Sequence, residues 1–151
     1  MTDPVILTLT RDYQAAPERV FDAWLDPAIA RHFLFATPDG EMLTCEIDAR
    51  VGGRGLVIER RAQGDAEHHL RFEEIDRPRR LVFLFRATMA GEGAEEGQWT
   101  RVSIDVAAAG GGTRLTLTHE MDPEWASYEE QTRQGWTMIL GSLALSLGEQ
   151  A

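Results

Sequence analysis

The stretch RQGWTMILGSLALSL (133–147) is the most apolar helical run in the chain, and it lies almost at the C-terminal end. Steps of three and four from Trp136 reach Ile139, Leu140, Leu143 and Leu147, the spacing of a helix that buries one stripe. Backward on the same face come Thr132, Glu129, Tyr128 and Trp125, so half of the stripe is solidly apolar and half mixes aromatics with Glu129 and Thr132. Gly135 sits inside the run beside Trp136, although glycine in a helix interior costs about 1 kcal/mol relative to alanine. Without a Cβ it is expected to let a strand or a short helix come close. Asp122-Pro123 offers an N-cap and a first-turn proline, and Gly148 a stop. Together they predict one helix of about 24 residues and ~36 Å.

Upstream the text is strands and turns. VILTLTRDY (5–13) alternates and is rich in β-formers. Pro17 opens APERVFDAWLD, where Val20, Phe21, Trp24 and Leu25 recur at helical spacing, and Asp26-Pro27 starts a second short helix through about Phe33. Further strands are expected at 42–48, 54–61, 68–76, 80–88, 98–106 and 113–121. The breaks between them are short enough for hairpins, so the sheet should be an antiparallel meander. GEGAEEG (91–97) reads as a solvated hairpin tip. The fold class is therefore α+β: one strand, two short helices, six strands and a long C-terminal helix.

That inventory poses a geometric problem. A sheet of so many strands twists and curls, and a single helical cylinder ~10 Å across cannot fill the trough it makes. Either large side chains fill the gap or a cavity persists. The inward candidates on the strands are Phe72, Phe83, Phe85, Leu115, Leu117 and His119, with Trp99 beside them. A dry aromatic core and a pocket opening near the mixed half of the helix both fit this pattern. In the pocket reading the lining is Phe33, Phe72, Phe83, Phe85, Trp99 and His119, with Thr132, Trp136, Ile139 and Leu140 from the helix and Glu129 at the rim.

Composition narrows the function. The 151 residues suit a single domain (1–151). At 43% hydrophobic and 26% charged the chain is ordinary globular material. All fifteen cationic side chains are arginine, and the net charge is −10, which argues against nucleic acid or an anionic membrane as partner. No apolar run approaches the ~20 residues that span a bilayer, and MTDPVILTLTRDY lacks a basic signal-peptide start. The expectation is a cytoplasmic protein.

Motifs for chemistry are sparse. Val51-Gly52-Gly53-Arg54-Gly55 precedes a strand rather than a helix, so it reads as a turn and not a phosphate cradle. His68 and His69 are adjacent and point to opposite faces of a strand, and no HExxH or HxH spacing supports a metal site. One of that pair, and His119, are expected to face the interior. Cys45 is the only cysteine and has no adjacent histidine to activate it. Glu129, if desolvated, is the acid–base candidate with a positional argument. No residue merits the word catalytic, and no motif calls for a cofactor or a metal.

Several blocks carry a family likeness. They are Ala16-Pro17-Glu18-Arg19-Val20-Phe21-Asp22-Ala23-Trp24 with Asp26-Pro27; Glu46-Ile47-Asp48-Ala49-Arg50-Val51-Gly52-Gly53-Arg54; Ile75-Asp76-Arg77-Pro78-Arg79-Arg80-Leu81-Val82-Phe83; Gly112-Thr113-Arg114-Leu115-Thr116-Leu117-Thr118-His119-Glu120; and Gly135-Trp136. In this order over nearly the whole chain, they resemble the SRPBCC superfamily (START-related, Bet v 1-like), and within it the family of the activator of the 90-kDa heat-shock protein ATPase. Where that family usually carries a tryptophan pair after the second short helix, this chain reads His32-Phe33-Leu34-Phe35. The resemblance implies a helix-grip fold, a curved seven-stranded sheet around the C-terminal helix, with an internal cavity for a small hydrophobic molecule. It also implies two other roles, a chaperone partner or a cyclase- or hydrolase-type enzyme using the cavity. Fold alone does not choose among these. An exposed helix face would also suit a homodimer.

Overall fold

Alternation of apolar and polar residues builds most of the molecule. The computed structural model describes residues 4–89 and 99–150. In chain order it has β1 (Val5–Tyr13), α1 (Pro17–Ala23), α2 (Pro27–Ala30), β2 (Glu41–Ile47), β3 (Arg54–Arg61), β4 (Gly64–Asp76), β5 (Arg80–Met89), β6 (Thr100–Ala109) and β7 (Gly112–Met121). A 3₁₀ segment (Pro123–Tyr128) then leads into α3 (Glu129–Ser146). The strands form one seven-stranded sheet in the order β1-β7-β6-β5-β4-β3-β2, with every neighbouring pair antiparallel. This is the helix-grip arrangement, a meander from β2 to β7 with β1 returning beside β7. The expected hairpin tip at 91–97 lies outside the described residues.

Local chemistry sets the joints. Pro17 and Pro27 stand in the first turns of α1 and α2, and the Asp26 carboxylate caps α2 by accepting from Ala28 N at 3.0 Å. The β6–β7 hairpin closes on Gly110-Gly111, with φ of +55° and +84°, the left-handed pair that a two-residue turn matched to strand twist demands. The hairpin between β3 and β4 is tighter than expected. Arg61 pairs with Gly64, so β4 begins at residue 64 rather than 68 and brings Ala66 into the buried face.

The C-terminal helix differs from expectation in length. Its first six residues wind as 3₁₀ helix, leaving an α-helix of 18 residues, ~27 Å long. Because a 3₁₀ turn takes three residues rather than 3.6, the stripe changes phase at Tyr128–Glu129, and Tyr128 is exposed. α3 is fastened to β1, where the buried Tyr13 hydroxyl donates to Leu140 O at 2.8 Å. Burial pushes the Tyr13 phenol above its ordinary value. Beyond α3, the Glu149 carboxylate accepts from Gln14 N and Ala15 N, both at 2.9 Å. No helix among the described residues is long and apolar enough to cross a membrane.

The trough between sheet and helix is treated differently at its two ends. Toward the C-terminal half of α3, the short helices plug it. Val20, Phe21, Trp24 and Phe33 are fully buried there with Leu143, Leu115 and Leu117, and Trp24 meets Phe33 edge-on at 5.2 Å. Toward the N-terminal half of α3 the plug runs out.

Candidate functional site

Where α1 and α2 no longer reach, a pocket of about 350 Å³ lies between the sheet and α3. Phe85 and Ala87 come from β5, His68 from β4 and Arg61 from β3. Thr132, Gly135, Trp136 and Ile139 face them from α3. Phe35, Ala36 and Thr37 close the remaining side from the loop after α2. Its volume falls in the range of small-molecule sites. A larger depression of about 760 Å³ is an open polar trough beside Arg11, Asp12 and the Gly110–Gly111 turn; it has no aromatic wall comparable to this one.

Phe35 shapes the pocket most. It lies flat on His68, centroids 4.2 Å apart and planes within 3°, and on Phe85 at 4.9 Å and 12°. Trp136 tilts against both, at 5.8 Å from Phe35 and 6.2 Å from Phe85. The Phe35 backbone has φ +58°, a left-handed conformation that a bulky residue holds only when its surroundings over-determine it. Those surroundings are a buried charge network. The Glu59 carboxylate, 1% exposed, accepts from Thr37 N at 2.7 Å, Thr37 Oγ1 at 2.8 Å and Arg61 Nε at 2.7 Å. Arg61 Nη2 in turn donates to Phe35 O at 3.2 Å. Gly40 makes room for this carboxylate, since a Cβ there would collide with it. Loop, strand and aromatic lid are thus one unit.

The two inward histidines are both neutral, for the same reason. His119 Nδ1 accepts from Trp136 Nε1 at 3.0 Å, which leaves Nε2–H to donate to Thr100 Oγ1 at 2.7 Å; that hydroxyl donates on to Phe85 O at 3.3 Å. His68 Nδ1–H donates to Val57 O at 3.2 Å. Burial drives both imidazoles down from 6.5 to about 4, and the Arg61 charge adds to the effect at His68. Between those values the unfolded chain binds protons that the folded chain refuses, so stability is greatest above pH 6.5 and falls as the pH drops toward 4. The loss should reach roughly 3 kcal/mol per histidine. Urea unfolding at pH 7 and pH 4.5 should show it, and a His68→Gln/His119→Gln double variant should lose most of that slope. Equal slopes in the two proteins would refute the assignment.

Of the residues expected at the pocket, the structure brings together Phe85, His119, Thr132, Trp136 and Ile139. It does not bring the others there. Phe33, Phe72, Phe83 and Leu140 are buried in the packed core instead, because the short helices fill the part of the trough that they face. Trp99 sits on the other face of the sheet, beneath the guanidinium groups of Arg71 at 5.0 Å and Arg86 at 5.3 Å. Glu129 stands in the first turn of α3, off the pocket wall, where the change of helical phase leaves it. Gly135 also differs from expectation: apart from its chain neighbours and the helix's own backbone, nothing lies within 4 Å of where its Cβ would be. The glycine admits no close neighbour; it leaves open space on the pocket wall. Phe35, Arg61 and Met138 are pocket residues that sequence periodicity missed. His68 is the inward member of its pair, while His69 turns out to Glu67 at 3.3 Å.

Comparison with known proteins bears on this architecture. The family model described as "Activator of Hsp90 ATPase homolog 1-like protein" matches residues 14–148. A crystal structure of a Chromobacterium violaceum protein is similar at 25% identity and TM-score 0.75, covering 93% of this chain and 94% of that one. A Rhizobium leguminosarum protein shares the fold at TM-score 0.82 and 20% identity, with 97% and 95% covered. The solution structure of an AHSA1-like protein from Aeromonas hydrophila does so at TM-score 0.78 and 20% identity, with 95% and 92% covered. None of the curated proteins matches.

Proposed function

The chain belongs to the family of Activator of Hsp90 ATPase homolog 1-like proteins, and from that premise and the pocket geometry we propose that it binds a small hydrophobic molecule between its sheet and α3. The helix-grip fold supports a ligand-binding domain. The observation that carries the reading is a pocket of about 350 Å³ walled by Phe35, Phe85, Trp136 and Ile139, with its polar atoms largely engaged among themselves. An apolar space with a few placed polar groups is the usual form of a small-molecule site.

The same geometry weighs against an acid–base role for the two residues singled out from sequence. Glu129 is off the wall, and both His119 nitrogens are held in hydrogen bonds. Binding therefore stands ahead of turnover. Delipidated protein should bind an environment-sensitive apolar fluorophore with ~μM affinity, about −8 kcal/mol, and its melting temperature should rise with ligand. Native mass spectrometry of freshly purified protein should show a co-purifying mass. Absence of probe binding, of a thermal shift and of an added mass would together defeat the proposal.

A further inference from the structure

The hydrogen-bond inventory of the pocket narrows what the ligand must look like. Thr132 Oγ1 donates to Tyr128 O at 2.9 Å, Thr37 Oγ1 to Glu59, and Trp136 Nε1 to His119. Both His119 nitrogens are occupied. Two side-chain nitrogens on the wall keep capacity, beside the acceptor lone pairs of the Thr37 and Thr132 hydroxyls. His68 donates through Nδ1 to Val57 O, so its Nε2 carries a lone pair, and no described residue donates to it. Arg61 uses Nε for Glu59 and Nη2 for Phe35 O, and its Nη1 has no hydrogen-bond partner among the described residues. These two side chains face the same pocket from adjacent strands.

We propose that the ligand is an apolar, uncharged molecule carrying one hydroxyl, held with its O–H donated to His68 Nε2 and its oxygen beside Arg61. The inference rests on the binding reading above and specifies its chemistry. A hydroxyl is the simplest group that meets an acceptor and a donor at once. A carboxylate fits badly, because it would face the imidazole lone pair and because the Arg61 charge is already matched by Glu59 at 2.7 Å. A cation would meet Arg61. Phe35 is stacked directly on His68 at 4.2 Å and on Phe85 at 4.9 Å, spacings that leave no room for a guest between the rings, so the ligand lies beside the stack and meets it through apolar contact and the two free polar groups. Unburdened burial of Nε2 would cost free energy without a donor, so an apolar ligand lacking the hydroxyl should bind less well.

The test uses three probes of one shape: 2-naphthol, naphthalene and 2-naphthoate, titrated by calorimetry or fluorescence at neutral pH against the full chain and His68→Phe. Wild type should bind naphthol about tenfold or more tighter than naphthalene, the size of one good hydrogen bond, and naphthoate weakest. His68→Phe should bind naphthol no tighter than naphthalene, and the ratio of the two affinities within that variant is the readout. Equal affinity for naphthol and naphthalene in wild type, or a preference that survives in His68→Phe, would overturn the hydroxyl assignment while leaving the pocket standing. A preference for naphthoate would overturn the neutral head group. Failure of all three to bind would remove the binding reading itself and this inference with it. Should His68→Phe not fold, His68→Gln should give a reduced naphthol preference, and an unchanged one would refute the role of the imidazole.

Discussion

Replacing Glu59 by alanine is expected to destabilise the fold by roughly 3 kcal/mol, the low end for removing one partner of a buried ion pair. The carboxylate is 1% exposed and serves three donors, two of them on Thr37. Without it, the Thr37 amide and hydroxyl lose their acceptor, and a cavity the size of the side chain replaces it. The cost stays at the low end because the Arg61 side chain is 28% exposed and can turn its charge to water. The variant should also change the pocket, since Thr37 and Arg61 hold the loop that seats Phe35 on His68 and Phe85. Urea unfolding measures the first effect. The second should appear as a loss of the ring-current shifts that stacked Phe35, His68 and Phe85 impose on one another. A loss below ~1 kcal/mol, typical of an exposed pair, would mean that the network does not organise the loop.

The larger effect on binding belongs to Gly135→Leu. Leucine is close to alanine in helix propensity, so α3 should gain somewhat less than 1 kcal/mol. That is a rise of roughly 2–4 °C in melting temperature for a chain of this size. Apart from the chain neighbours and the helix's own backbone, no atom lies within 4 Å of the added Cβ, so no neighbouring element has to yield. The side chain would project into the space between Thr132, Trp136 and Ile139 that a ligand is proposed to occupy. Affinity for apolar probes should fall at least ~100-fold, about 2.7 kcal/mol. A variant that is more stable yet no longer binds would localise the ligand. Undiminished probe affinity would place the ligand elsewhere.

The two variants probe parts of the molecule with different legibility. The apolar steps Trp136, Ile139, Leu140 and Leu143 marked the buried face of α3 because helical period is a local property, and all four are buried. Strand alternation likewise put Phe72, Phe83, Phe85, Leu115, Leu117 and His119 on one side of the sheet. Alternation could not say which of them meet open space. Phe72, Phe83 and Phe85 have the same parity and chemistry, yet only Phe85 reaches the pocket wall, because the difference is the distance to α1 and α2, which no strand encodes. Phe35 is not legible from periodicity for a related reason. Its position is set by a left-handed backbone and by Glu59, 24 residues on, although the sequence His32-Phe33-Leu34-Phe35 did mark this loop as unusual for the family. Trp99 was misplaced because an aromatic residue at a strand edge reads as interior, whereas two arginines on the convex face offered its ring a cation–π surface.

From its residues alone this protein's element order, the antiparallel sheet, the buried stripe of the last helix and the inward histidine at 119 were determined, since each depends on neighbours within a few residues. Tertiary structure decided where the trough is plugged and where it is hollow, which histidine of the adjacent pair faces inward, and what Gly135 is for. Those outcomes depend on the volume left over after distant segments pack, a quantity that period and propensity do not contain.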